Sequence, residues 1–253
     1  MAINFIEPNW PAPKNVKALQ TTRLGGVSAF PYESLNIGAH VEDSEVSVRE
    51  NRKRLQERLP SGPLWLQQLH GTLVVTEQVG KRCPEADGSI TQKTNEVCTV
   101  MTADCLPVLL CDEAGTQVAA VHAGWRGLAS GILEEALGQF KCSPDLILAW
   151  LGPAIGPNAF EVGESVYDAF CLPNSSASSC FIKQPNQPNP NGAGVLEKWH
   201  ADIYALAKLR LNSVGLSKVY GGDFCTYTDE ERFFSYRRDG KTGRMASCIW
   251  LSV

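Results

Sequence analysis

The sequence predicts a mixed α and β fold in one compact unit. Apolar runs of strand length, such as TQVAAVH (116–122) and DLILAW (145–150), end beside glycines, and segments with helical spacing lie between them. The one Asn-, Pro- and Gly-rich stretch, NQPNPNGAGV (186–195), reads as a mobile loop rather than a domain linker. A chain of 253 residues is long enough to bury a substantial core.

Taken in order, an extended start leads to a loop at TTRLGGVS around Gly25 and Gly26. EVSVRENRKRLQERLP (45–60) reads as a helix stopped by Pro60, its charges on a solvated face. PLWLQQLHGTLVVTEQV (63–79) holds two strand-like pieces interrupted at His70 and Gly71, and a cysteine-bearing strand follows from Val97 to about Cys111. After TQVAAVH, the apolar positions Ile132, Leu133, Ala136, Leu137 and Phe140 follow helical spacing from Leu128, with Glu134 and Glu135 on the other face. This is a strand, a glycine turn and a helix. The same grammar recurs in DLILAWLGPAIGPNAFEVGESVYDAF (145–170), which suggests duplication. LEKWHADIYALAKLRLNSVG (196–215) reads as one helix with Leu196, Trp199, Ile203 and Leu206 inward and Gly215 as its stop. RFFSYRRDGKTGRMASCIWL (232–251) reads as a hairpin about a Gly-containing turn.

A net charge of −4 argues against a general nucleic-acid binder and for a small-molecule substrate. No segment reaches transmembrane length, the first residues lack the apolar run of a signal peptide, and no membrane partner is expected. The nine cysteines form no CxxC pair, and several lie in apolar runs, which predicts reduced, mostly buried thiols and a cytoplasmic protein.

The four histidines can be weighed one by one. His200, in the predicted helix, reads as structural. His40, after a glycine in SLNIGAHVED, reads as a turn or capping residue, with support of a site as the other reading. His70 and His122 each end an apolar strand and precede glycine, where α/β folds display site residues. Cys105, between Asp104 and a Leu-Pro step, is alone a small buried hydrophobe. With the two histidines it completes a set suited to zinc with a fourth position open. Such a metal would activate water or polarise an oxygen; a nucleophilic Cys105 with His122 as base is the metal-free alternative. Arg126, at the helix start in GWRGLASG, is a candidate anion receptor. Gln67, Gln68 and Asp104 flank the ligands and could orient an imidazole or hold substrate. Arg23, Arg237 and Arg238 supply further cations, and Trp125 is either a stacking wall or core.

The set QLHG, TADCLP, HAGWRG, LGPAIGPNAFEVG and CTYTDEERFFSYRRDGKTGRMA resembles the YfiH family, the laccase-domain or polyphenol oxidase proteins, known also as a peptidoglycan editing factor. The likeness runs from TTRLGGVSAFPYESLNIGAH to the C-terminal IWL, which makes residues 1–253 a single YfiH-like domain. It implies an α+β fold, a four-layer α/β/β/α sandwich with mixed sheets, in a cytoplasmic, monomeric enzyme. The family's zinc ligands fall on His70, Cys105 and His122, which serve as both metal-binding and catalytic residues. Arg23, Gln68, Asp104, Trp125 and Arg126 stand as substrate-binding candidates.

The activity implied is phosphorolysis of adenosine, inosine, guanosine and methylthioadenosine, with deamination of adenosine; the small-molecule partners are then a purine nucleoside and phosphate. The alternatives are an amidase editing peptidoglycan precursors (UDP-MurNAc-peptide), a copper-dependent polyphenol oxidase, and a non-catalytic metal-binding module whose partners use the loop near 186–195. Four histidines cannot furnish both a blue-copper site and a histidine-rich oxygen cluster, which excludes a multicopper mechanism. A single Cu2+ in place of Zn2+ remains open, because copper outcompetes zinc at most N/S sites. The chain departs from the family pattern in two places: Glu42 stands where a glycine is expected, and the 186–195 loop is longer than usual.

Overall fold

The computed structural model describes residues 3–76, 83–188, 192 and 195–253. In chain order its elements begin with β1 (Phe5–Ile6), β2 (Val16–Thr21), α1 (Glu45–Gln56), β3 (Val74–Val75), β4 (Gly88–Thr91), β5 (Cys98–Thr102) and β6 (Leu106–Asp112). Next come β7 (Val118–Ala123), α2 (Trp125–Ser130), α3 (Ile132–Gly138), β8 (Ile147–Leu151), β9 (Glu161–Gly163) and α4 (Glu164–Cys171). The remainder is β10 (Phe181–Lys183), β11 (Gln187–Pro188), β12 (Val195–Leu196), β13 (Lys198–Ala201), α5 (Ile203–Ser213), β14 (Val219–Gly221), α6 (Tyr236–Asp239) and β15 (Met245–Leu251).

Strand alternation builds the layers. In β6 and β7, Val108, Leu110, Ala119 and Val121 pack toward Leu128 and Ile132 of α2 and α3 and Leu206 of α5. Their neighbours Leu109, Cys111, Val118 and Ala120 point the other way, onto Val100, Ile249 and Leu251 of a second sheet. That sheet presents Leu19, Ala246 and Cys248 on its far side to Leu55 of α1. The result is α+β in four layers: helices, a six-stranded sheet of order β14-β8-β6-β7-β4-β3, a four-stranded sheet of order β1-β2-β15-β5, and a helix. The six-stranded sheet is mixed, with β14–β8 and β3–β4 parallel and the other pairs antiparallel. Each large side chain so enclosed, such as Leu109 or Leu110, contributes about 1.5–3 kcal/mol.

Several elements differ from the sequence expectation. The single strand over 97–111 is two strands in two different sheets, because Asp104 adopts φ 94° and turns the chain from β5 into β6. The helix after Gly124 is split at Gly131, whose φ of 98° only glycine adopts at no cost. The helix expected over 196–215 begins only at Ile203, where the Asp202 side chain accepts the Ala205 N–H. Leu196 and Trp199 belong to β12 and β13 instead, and His200 lies in β13 opposite Ile182 and Glu161. The expected 232–251 hairpin is a buried Phe233–Phe234 turn, the short α6 and one strand, β15, paired on both sides. Of 186–195, Gln187–Pro188 and Val195–Leu196 pair, while 189–191, 193 and 194 lie outside the described residues. Glu42 sits at φ 64°, the left-handed region that favours the glycine of the family pattern, and forms an ion pair with Lys241 at 2.9 Å. Cys83, against the expectation for most thiols, is exposed.

Because β7 and β8 both run antiparallel to β6, their C-terminal ends and the N-terminal end of β6 share one edge of the sandwich. The loop from 27 to 43 closes this edge and is tied to α1 by Asn51, which is fully buried. Its amide donates to Ser28 Oγ, Ser34 O and Asn36 O and accepts the Val27 N–H, all within 2.9–3.1 Å. Replacing it strands those buried groups. Asn51→Ala should therefore cost about 3 kcal/mol, read as a fall of roughly 6–12 °C in melting temperature; a fall under about 2 °C would mean the loop is held elsewhere.

Candidate metal centre and cleft

His70, Cys105 and His122 meet at the shared edge, with one ligand atom of each within 4.8 Å of the others. The first lies in the irregular stretch before β3, the second in the turn from β5 to β6, and the third near the end of β7. Cys105 Sγ is 3.7 Å from His70 Nε2, and the two imidazoles stand edge to face at 4.8 Å. Gly124 lies directly behind them: a Cβ there would stand 2.7 Å from His70 Cδ2 and 3.2 Å from Cys105 Sγ. The glycine beside His122 thus makes room for the ligand set.

What holds the histidines is Asp87, which the sequence reading did not single out. Its carboxylate is 1% exposed. Oδ1 accepts from His122 Nδ1 at 2.8 Å and from the His70 N–H at 2.9 Å; Oδ2 accepts the N–H groups of Leu69 and Gly71 at 3.1 and 2.7 Å. One side chain therefore sets the tautomer of His122, leaving Nε2 for the site, and holds His70 at φ 61°, a backbone conformation costly for a non-glycine residue. Burial opposes ionisation of Asp87, but the hydrogen bonds from His122, Gly71 and Leu69 outweigh it and keep the carboxyl below its ordinary pKa.

Asp104 does the same for Cys105. Its φ of 94° is fixed by Thr226 Oγ1 and the Arg237 N–H, each 2.6 Å from a carboxylate oxygen, while its carbonyl accepts the Ile155 N–H. Both carboxylate oxygens are thus engaged in bracing, and Asp104 is not among the residues that line the adjoining cleft. Burial, the largest influence on Cys105, pushes its thiol up, yet His122 and His70 together bring it down to about 6. For His122 burial opposes the charged form, and Cys105 with Asp87 raises it to about 9. The site gathers a thiolate against positive charge. A soft thiolate and two imidazoles, one already oriented through its second nitrogen, fit zinc or copper, with a cation taking the place of the imidazolium proton.

The three side chains open into a cleft of about 790 Å³, lined also by His40, Arg52, Trp65, Gln67, Gln68, Tyr236 and Arg244. Gln68 lines it with its amide committed: Nε2 donates to Met101 O and Oε1 accepts the Met101 N–H, both at 2.8 Å. Arg23, Trp125 and Arg126 are not among the lining residues. Arg23 donates to Glu33 O and Glu230 O and lies over Phe234. Trp125 packs on the large core cluster with the exposed Arg126 guanidinium 4.4 Å above its ring. Arg238 is spent on Asp239 and on the carbonyls of Thr226, Tyr227 and Phe233. The cations facing the cleft are Arg52 and Arg244, and its aromatic walls are Trp65 and Tyr236. A sequence signal for Arg52 exists: it follows the buried Asn51 and lies four residues after the buried Val48, on the inward stripe of α1.

The chain matches, over residues 17–252, the family model described as multi-copper polyphenol oxidoreductase laccase. It is 54% identical over 253 residues to the protein named purine nucleoside phosphorylase YfiH of Escherichia coli (strain K12), with 98% of each chain covered. To a purine nucleoside phosphorylase of Pseudomonas aeruginosa it is 51% identical over 247 residues, again with 98% of each covered. The crystal structure of a Neisseria meningitidis protein superposes with a TM-score of 0.90 at 51% identity, covering 99% of this chain and 100% of the other.

Two substitutions test how the centre is held. Asp87→Asn should lower metal affinity by about 10- to 100-fold while the protein still folds, measured by competition with a chelator of known affinity. Gly124→Ala should displace His70 and lower metal occupancy, because the added methyl has no free volume beside the ligands. Full metal affinity in both variants would mean that the ligands are oriented independently of Asp87 and Gly124.

Proposed function

This chain belongs to the YfiH family, whose family model is described as multi-copper polyphenol oxidoreductase laccase, and we propose that it is a metal-dependent purine nucleoside phosphorylase. The observation that carries the reading is a thiolate–imidazole triad opening into a cleft that offers aromatic walls and arginines on the same surface. Relatives about half identical along their whole length carry the name of that activity. The finer reading takes zinc as the ion, adenosine, inosine, guanosine and methylthioadenosine as substrates, and deamination of adenosine as a second outcome at the same centre.

A divalent ion bound by His70, Cys105 and His122 supplies Lewis-acid polarisation to a substrate oxygen or water. The protein's own part is positional. Tyr236 presents flat apolar surface to a purine ring, beside Trp65, whose ring lies under Arg52. Asp87 keeps Nε2 of His122 directed at the site, and Asp104 keeps the Cys105 thiol at the cleft floor. The family description as a multicopper oxidase does not suit this chain. Among the described residues one metal-capable group occurs, and four histidines in the sequence are too few for two copper centres.

Adenosine incubated with metal-loaded protein and phosphate should give adenine and ribose 1-phosphate, with inosine as the deamination product, by chromatography. Omitting phosphate should stop the first reaction alone, and Cys105→Ala should lower both by about 100-fold or more. Unchanged nucleoside with every substrate above, beside turnover of a muramyl peptide, would replace this reading with the amidase.

A further inference from the structure

Two guanidiniums, Arg52 of α1 and Arg244 just before β15, face the cleft beside the imidazole of His40, whose loop is locked between them. The segment Asn36–His40 is pinned from both sides: Arg52 Nε donates to Ile37 O at 2.9 Å, and the Ile37 N–H donates to Arg244 O at 3.1 Å. Asn36 Oδ1 accepts the N–H groups of both Gly38 and Arg244 at 2.9 Å. Arg52 is stacked 4.0 Å over Trp65. Arg244 spends one terminal nitrogen on Thr242 O and Gly243 O. Among the described residues neither guanidinium has a carboxylate partner within ion-pair distance, although both are partly buried and burial pushes the pKa of each down. Uncompensated charge held out of water is costly and asks for an anion. Arg244 lines the same cleft as His70, Cys105 and His122.

His40 lines the same cleft; partial burial, then Arg244 and Arg52, push its pKa down, so at neutral pH it is an uncharged imidazole able to accept a hydrogen bond. The two arginines supply fork donors suited to a tetrahedral oxyanion.

We propose that Arg52, Arg244 and His40 form an oxyanion subsite in the cleft, and that the anion is the inorganic phosphate consumed in phosphorolysis. This rests on the phosphorylase reading above. Monohydrogen phosphate binds with two oxygens on the guanidiniums and its hydroxyl donating to His40. A phosphate oxygen forms a bond to C1′ of the ribose as the C1′–N9 bond breaks; the electron pair leaves on the purine, and the proton lost by phosphate ends there. Arg126, the anion receptor suggested by sequence, and Arg23, a further substrate-binding candidate, lie elsewhere with other contacts.

The test separates the two substrates. In steady-state kinetics with inosine and phosphate, Arg52→Gln, Arg244→Gln and His40→Gln should each raise the KM for phosphate by roughly 10- to 100-fold and the KM for inosine by less than about threefold, with metal content unchanged. Arg52→Lys, which keeps the charge without the fork, should fall between Arg52→Gln and wild type. A larger effect on inosine than on phosphate would overturn the assignment. Should the metal-loaded wild type turn over no nucleoside, calorimetric titration with inorganic phosphate decides: binding that Arg244→Gln abolishes upholds the subsite while the phosphorylase reading falls, and no binding to wild type sinks the subsite.

Discussion

The carboxylate of Asp87 is the constraint on which the site depends. One buried group neutralises the ends of three successive backbone N–H groups and one imidazole, and in doing so joins the irregular 69–71 stretch to β7. An ionised carboxylate out of water is tolerable only when its lone pairs are filled. Here four donors fill them. The same arrangement forces His70 into the left-handed region and faces Nε2 of His122 away from Asp87, so that two ligands on separate segments are set by a single charge.

Asp104 repeats the logic for the third ligand. The chain leaves the four-stranded sheet at Thr102 and enters the six-stranded sheet at Leu106, and the reversal between them is what brings Cys105 to the open edge. A non-glycine residue at φ 94° persists only where its surroundings over-determine it, and Thr226 and Arg237 do so. The layers around this edge are ordinary packed apolar strands; strain and buried charge are concentrated where the ligands converge.

The triad was legible because each member interrupts an apolar strand with a group that a core has no use for, and because a glycine, Gly71 or Gly124, follows each histidine within two residues. The four-layer α+β arrangement came through the resemblance. The split of 97–111 between two sheets was not legible: the residues on both sides of Asp104 are mostly apolar, and the turn is imposed by Thr226 and Arg237, more than 120 positions away. The helix expected at 196–201 failed because Trp199 and Ala201 fit either period, and pairing with β9 and β10 decides for a strand. Asp87 was hidden in EADGSI, where nothing in the local pattern sets its carboxylate apart. Arg52 was hidden among the charges of a helix whose apolar stripe is short. Arg126 looked like the anion receptor because the sequence places it near His122, but a helical start turns its side chain outward onto Trp125. Placement at the ends of apolar strands identified the ligands; the cations of the cleft come from segments without such a mark.

Asp87, holding His70 and His122, and Asp104, holding Cys105, preorganise the three ligands as one metal centre in the cleft. An anomalous-difference map at the zinc edge, from crystals of zinc-loaded protein, tests it most directly. The account predicts a single strong peak about 2.0–2.3 Å from a nitrogen of each histidine and Sγ of Cys105, with Asp87 still bonded to Nδ1 of His122. A peak elsewhere, or zinc bound through Nδ1 of His122 with Asp87 displaced, would contradict it.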